Sequence, residues 1–153
     1  MDLTDTLTIR PFRPADQPAA RELVLTGLAE HWGALDPTLN PDLEDIAASF
    51  AAGVFLTAWL DGRLVGTGGL LPASEGCMQV VRMSVAASLR RKGIARRILA
   101  ALLEAARQSG CRRVILETTE TWDEVIAFYL SCGFRITHHQ DGDVYFERLL
   151  DGS

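Results

Sequence analysis

The chain has 153 residues, of which 48% are apolar and 23% charged, and carries a formal net charge of −5. That is enough apolar material for one core, so a single domain over 1–153 is expected. The acidic balance argues against general nucleic-acid binding, which needs a broad positive field to release phosphate counterions.

No apolar run approaches the roughly 18 to 20 residues that cross a bilayer, and the acidic start MDLTDTLTIR lacks signal-peptide features, so a cytoplasmic protein is expected. In chain order, LTIR predicts a short strand that meets Pro14. Helical spacing follows in QPAARELVLTGLAEHW, with Asp16 placed to cap it. HWGALDPT reads as a loop. NPDLEDIAASFAAG then predicts a second helix, with Asn40 as cap, Pro41 in its first turn and Gly53 as its stop. Asp61-Gly62 between the apolar runs VFLTAWL and RLVGTGGLL is the signal of a type I′ hairpin. CMQVVRMSV predicts a third strand. From Gly93 to Ser109, Ile94, Ile98, Leu102 and Ala105 recur every three or four residues, giving an amphipathic helix closed by Gly110. RRVILETT reads as a buried strand. Thr121 and Glu124 have capping-box spacing ahead of the helix WDEVIAFYLSC, which stops at Gly133. A second hairpin is expected around Asp141-Gly142. Helices grouped between strand runs predict an α+β fold with a largely antiparallel sheet of six to seven strands and about four helices.

The charge is unevenly placed. LRRKGIARRIL sets five cations around Gly93, where a strand feeds into a helix whose first N–H groups have no internal partner. Such a terminus binds phosphate, and small residues at Gly93 and Ala95 let an anion approach the backbone while Arg90, Arg91 and Lys92 add neutralising charge. A solvated basic turn is the alternative reading of the same run. Neither the P-loop spacing G-x-x-x-x-G-K-S/T nor the dinucleotide pattern G-x-G-x-x-G is present. Cys77, Cys111 and Cys132 are odd in number and widely spaced, and no histidine or cysteine pair has metal-ligand spacing, so reduced cysteines and no metal are expected.

VVRMSVAASLRRKGIARRIL followed by VILETTETWDEVIAFYLSCGF resembles the paired signature motifs of the GNAT superfamily, the GCN5-related N-acetyltransferases. The resemblance is strong over residues 79 to 136 and coarse before them. It implies that the family's pyrophosphate-binding stretch, Q/R-x-x-G-x-G/A, is filled here by Arg90, Gly93 and Ala95, with Arg91, Lys92 and Ile94 between and beside them. It also implies acetyl-CoA as co-substrate, its pantetheine arm lying along the backbone of Met83, Ser84 and Val85 in the manner of an added strand. Tyr129 takes the place of the family's general acid. Where many members carry an asparagine seven residues before that tyrosine, this chain has Trp122, whose single indole donor cannot copy an amide and which is expected to contact the co-substrate by packing against its acyl arm, or to pack on the helix above it. The basic glutamate of the histone-modifying branch is replaced by Gln79, which cannot take a proton.

An alkylamine is almost wholly protonated near neutral pH, so attack on a thioester requires a base. Glu117 at its strand end is one candidate. Glu30 and His31, beside the loop with which the family shapes its acceptor pocket, are others. Arg82 is expected to hold an acceptor carboxylate or to pair with Glu117, and His138 and His139 to be surface residues. The expected activity is acetyl transfer to the amine of a small molecule or peptide by direct attack, with neither nucleic acid nor membrane as partner and a homodimer as an admissible assembly. A non-catalytic CoA-binding module on the same fold is the alternative.

Overall fold

The fold is seen in a computed structural model that describes residues 6–32 and 41–150, the side chains of His31 and Trp32 excepted. In chain order the elements are β1 (Thr8–Pro11), α1 (Gln17–Trp32), α2 (Ile46–Ser49), β2 (Val54–Leu60), β3 (Arg63–Ser74), β4 (Cys77–Val85), α3 (Ile94–Gln108), β5 (Arg113–Thr119), α4 (Asp123–Ser131), β6 (Arg135–Gln140) and β7 (Asp143–Leu149). The strands form one seven-stranded sheet in the order β1-β2-β3-β4-β5-β7-β6. Every neighbouring pair is antiparallel except β4 and β5, which run parallel with α3 as their crossover. Asp61 and Gly62 have φ of 52° and 76°, and Asp141 and Gly142 of 52° and 83°, the paired positive values that a two-residue type I′ hairpin demands.

Alternation along the strands assigns the two faces. On β4, Val80 packs into a core built with Ile94, Ile98, Leu99, Leu102 and Leu103 of α3 and Tyr129 of α4, whereas Val81 packs with Ala20 and Val24 of α1 and Ile46 of α2. The α1–α2 pair and the α3–α4 pair therefore cover opposite faces. Contact between α3 and β3 is so close that a Cβ on Gly66 would sit 2.7 Å from Ile98 Cδ1, and one on Gly68 2.6 Å from Ile98 Cγ2. That approach explains Gly66 and Gly68 of the GTGG run in β3, whereas a Cβ on Gly69 would meet Phe50 of the other core at 2.6 Å. No helix among the described residues is long and apolar enough to cross a membrane.

Three sequence expectations are corrected. The segment from residue 41 to 53 is not one helix: it is a 3₁₀ turn, Pro41–Leu43, followed by the short α2, whose cap is Asp45, accepting from Ala48 N at 3.1 Å. Asn40 lies outside the described residues. Gln17 of α1 accounts for the break, because its amide donates to the Leu43 carbonyl at 2.7 Å and accepts from Ile46 N at 3.0 Å, satisfying backbone groups that a continuous helix would have used. Thr121 does not cap α4; Trp122 occupies the cap position without a side-chain bond, and Glu124 turns to Arg91. Asp16 ends a 3₁₀ turn, Pro14–Asp16, instead of capping α1 directly.

The Asp16 carboxylate is nearly fully buried and accepts from Arg10 at 2.8 and 3.1 Å and from Arg13 N at 2.9 Å. The Arg10 bond, followed by the weaker opposing effect of burial, holds its pKa below the ordinary carboxylate value. A depressed folded pKa contributes stability that is present above the unfolded pKa and lost as pH falls through the folded one. Asp16→Asn is expected to cost about 1 to 3 kcal/mol at neutral pH. The difference from wild type should shrink in acid when denaturant unfolding is followed across pH, and a pH-independent difference would remove the ionic part of this account.

Candidate active site

The cleft is a consequence of one interrupted ladder. β4 and β5 pair only from Cys77 to Gln79 against Arg113 to Ile115, although β4 runs on to Val85 and β5 to Thr119. Past that point the parallel strands part and the edge of β4 is freed. The separation coincides with a bulge: β3 pairs Thr67 with Ser84 and Gly69 with Val81, leaving Arg82 and Met83 opposite Gly68 alone. Arg82 has φ of 55°, the left-handed position that glycine ordinarily fills in this kind of bulge. For a bulky side chain that conformation is a local conflict of order 1 kcal/mol or more, so the surroundings must hold it. Thr67 Oγ1 donates to the Arg82 carbonyl at 2.8 Å, and the Arg82 guanidinium donates bidentately to Asp42, Nε to Oδ2 at 2.9 Å and Nη2 to Oδ1 at 2.7 Å. The expected pairing of Arg82 with Glu117 is thereby corrected.

The opening between the strands has a volume of about 820 Å³. Met83, Ser84 and Val85 line it from β4, Arg90, Arg91, Gly93, Ile94 and Ala95 from the turn and first residues of α3, Glu117 from β5, and Trp122 and Tyr129 from α4, with Arg82 at its wall. Lys92 is exposed and does not line it. Glu30 stands behind the wall, accepting from Arg90 Nη1 at 2.6 Å while Arg90 Nε donates to the Val85 carbonyl at 3.2 Å. Arg90 thus ties the end of β4 to α1. Arg91, with φ of 63°, pairs with Glu124 of α4. His31 lies outside the described side chains.

At the start of α3, Gly93 is the cap residue with φ of 86°, and no side-chain oxygen occupies the cap. The first-turn N–H groups are therefore offered to the cleft instead of to a capping side chain. A glycine that no L side chain replaces without strain, a positive helix end and two flanking arginines fit a diphosphate, and the freed edge of β4 fits an extended amide-bearing arm.

Tyr129 is only 7% exposed, with its ring against Phe128, Phe134 and Phe146 at centroid distances of 5.2, 5.9 and 5.8 Å. Burial, assisted by Cys132, raises its pKa well above that of an ordinary phenol, so the group stays protonated across the physiological range. Its hydroxyl has no hydrogen-bond partner among the described residues. Glu117 is exposed beside the cleft and stands directly across from Tyr145 of β7, whose hydroxyl is turned to it and whose pKa the Glu117 carboxylate raises. His138 and His139 are exposed, as expected of surface residues, and His138 stacks flat on Tyr145 at 4.4 Å. Sequence reading passed over Thr67, Asp42 and Tyr145. Only Thr67 left a trace, as a buried polar residue between glycines; the contacts of the other two cross 40 and 28 positions of chain, which no local pattern records.

The comparisons with known proteins agree with this geometry. The family model described as "Acetyltransferase (GNAT) family" matches residues 18–134. The chain belongs to the GNAT acetyltransferase family. Its relatives include rat N-acetyltransferase family 8 member 2, 34% identical over 108 residues, covering 66% of this chain and 48% of the relative. The chain therefore spans about half the length of that relative. Another is the uncharacterized N-acetyltransferase YjgM of Escherichia coli, 27% identical over 150 residues, covering 88% of this chain and 90% of the relative. Among solved structures, a GNAT-family acetyltransferase from Staphylococcus aureus superposes with a TM-score of 0.87 at 20% identity, over 95% of this chain and 99% of the other. The PaiA N-acetyltransferase of Thermoplasma acidophilum, solved in complex with coenzyme A, superposes with a TM-score of 0.84 at 16% identity, over 94% and 99%. At those identities the superpositions speak for the GNAT fold.

Proposed function

We propose that this GNAT enzyme transfers an acetyl group from acetyl-CoA to a primary amine by direct attack. The observation that carries the reading is the meeting, in one cleft, of an uncapped helix start at Gly93, the freed edge of β4 and the protonated phenol of Tyr129. The first-turn amides of α3, with Arg91 and Arg90 at their flank, hold the diphosphate. Backbone groups of Met83, Ser84 and Val85 hold the pantetheine arm, and an N–H near Val85 meets the charge that develops on the thioester oxygen. Trp122 packs beside the arm with its ring. Acetyl-CoA supplies the activated acyl group as a thioester.

The amine needs its ammonium proton removed before it can attack. Glu30 is held by Arg90 outside the cleft, whereas Glu117 lines the cleft beside the Tyr145 hydroxyl, so Glu117 takes that proton and attracts the cationic acceptor. Tyr129 donates its own proton to the departing sulfur as the C–S bond breaks, and is reprotonated by the proton that the attacking nitrogen sheds to become the amide. Initial rates with acetyl-CoA and one amine varied together test the direct route. Intersecting double-reciprocal lines are expected, and parallel lines would replace it with a covalent acyl-enzyme.

A further inference from the structure

Arg82 does something in this structure that neither its charge nor its place in the motif strand accounts for. It occupies the left-handed position of a two-against-one bulge, and two side chains from elsewhere in the chain grip it there: buried Thr67 through the main-chain carbonyl and Asp42 through the guanidinium. The bulge lies just where β4, no longer paired to β5, presents its backbone to the cleft. A residue that must be held in a sparsely populated conformation leaves it when the holders are removed, and the binding-competent fraction then falls. We propose that Asp42 and Thr67 are positioning residues, which clamp Arg82 in its bulge and so fix the edge of β4 that receives the co-substrate. Asp42 belongs to the 3₁₀ turn Pro41–Leu43 that precedes α2, so the clamp also couples that turn to the cofactor strand. The inference rests on the cleft being a CoA site, as proposed above.

The test is calorimetric titration of the purified full chain with CoA alone, with thermal unfolding of each variant without ligand. Asp42→Asn, which keeps the shape but loses the charge, is expected to weaken CoA binding about fivefold, the population change that an ordinary part-exposed ion pair supplies. Asp42→Glu should recover most of it. Thr67→Val should lose a similar factor and Thr67→Ser, which keeps the hydroxyl, should stay within about twofold of wild type. The diagnostic comparison is at Arg82 itself. Arg82→Gly is expected to lose less affinity than Arg82→Ala, because glycine enters φ near 55° without conflict and alanine does not. In the Arg82→Gly background, adding Asp42→Asn should change nothing further. Equal losses for Gly and Ala, or an undiminished Asp42→Asn effect in the Gly background, would overturn the clamp. So would wild-type affinity in Asp42→Asn. Absence of CoA binding by wild type would overturn the functional reading as well, and is thus distinguishable from failure of the clamp alone.

Discussion

Gly93→Glu is expected to abolish measurable acetyl-CoA binding while leaving the fold in place. Two effects add. At φ of 86° any side chain is strained, and a carboxylate there would stand in the path to the helix start, repelling the diphosphate it is meant to receive. Together these amount to roughly 3 kcal/mol or more, an affinity loss of over about 100-fold. Gly93→Ala carries the backbone conflict without the charge and should lose about tenfold. The residue is exposed, so circular dichroism should be unchanged. A folded Gly93→Glu protein with near-native affinity would remove the anion site from the start of α3.

Tyr129→Phe is expected to lower kcat about 100-fold or less, with acetyl-CoA affinity nearly intact, since general-acid help is modest when the leaving thiolate is itself tolerable. The ring contacts with Phe128, Phe134 and Phe146 survive the change. Because the hydroxyl lacks a hydrogen-bond partner among the described residues, its removal should leave the melting temperature unchanged or raised. The pH dependence has a definite sign. Burial raises the phenol, so it does not titrate below about pH 10, and the loss in kcat should be uniform instead of appearing as a moved alkaline limb. Unchanged kcat across pH would leave Tyr129 as a packing residue, and a loss confined to affinity would make it a contact of the co-substrate only.

What the sequence made legible followed from local rules. The two Asp-Gly turns, the amphipathic face of α3 and the glycine stops at Gly110 and Gly133 each depend on residues within a few positions of one another, and each appears as expected. The basic run around Gly93 was equally local, since it surrounds one helix end and Gly93 stands there as the cap residue. The cleft's supports were not local. Nothing near Asp42 shows that it reaches Arg82, and nothing near Gln17 shows that its amide breaks the expected helix after Pro41. The Thr121–Glu124 spacing pointed to a cap, but the Arg91 guanidinium supplied Glu124 with a different partner. Arg82 misled for the same reason: a charge on a core strand suggested a ligand or Glu117, whereas its backbone conformation, which sequence does not display, is the feature that needs explaining.

The measurement that bears most directly on the central claim is release of free CoA thiol from acetyl-CoA by the purified wild-type chain, across a panel of primary amines that includes small molecules, peptide N-termini and lysine side chains, with the acetylated amine identified by mass spectrometry. The account predicts thiol release that depends on at least one amine, saturates with it, and yields that amine acetylated on nitrogen in equal amount. Tight binding of acetyl-CoA with no amine-dependent release from any member of the panel would contradict it.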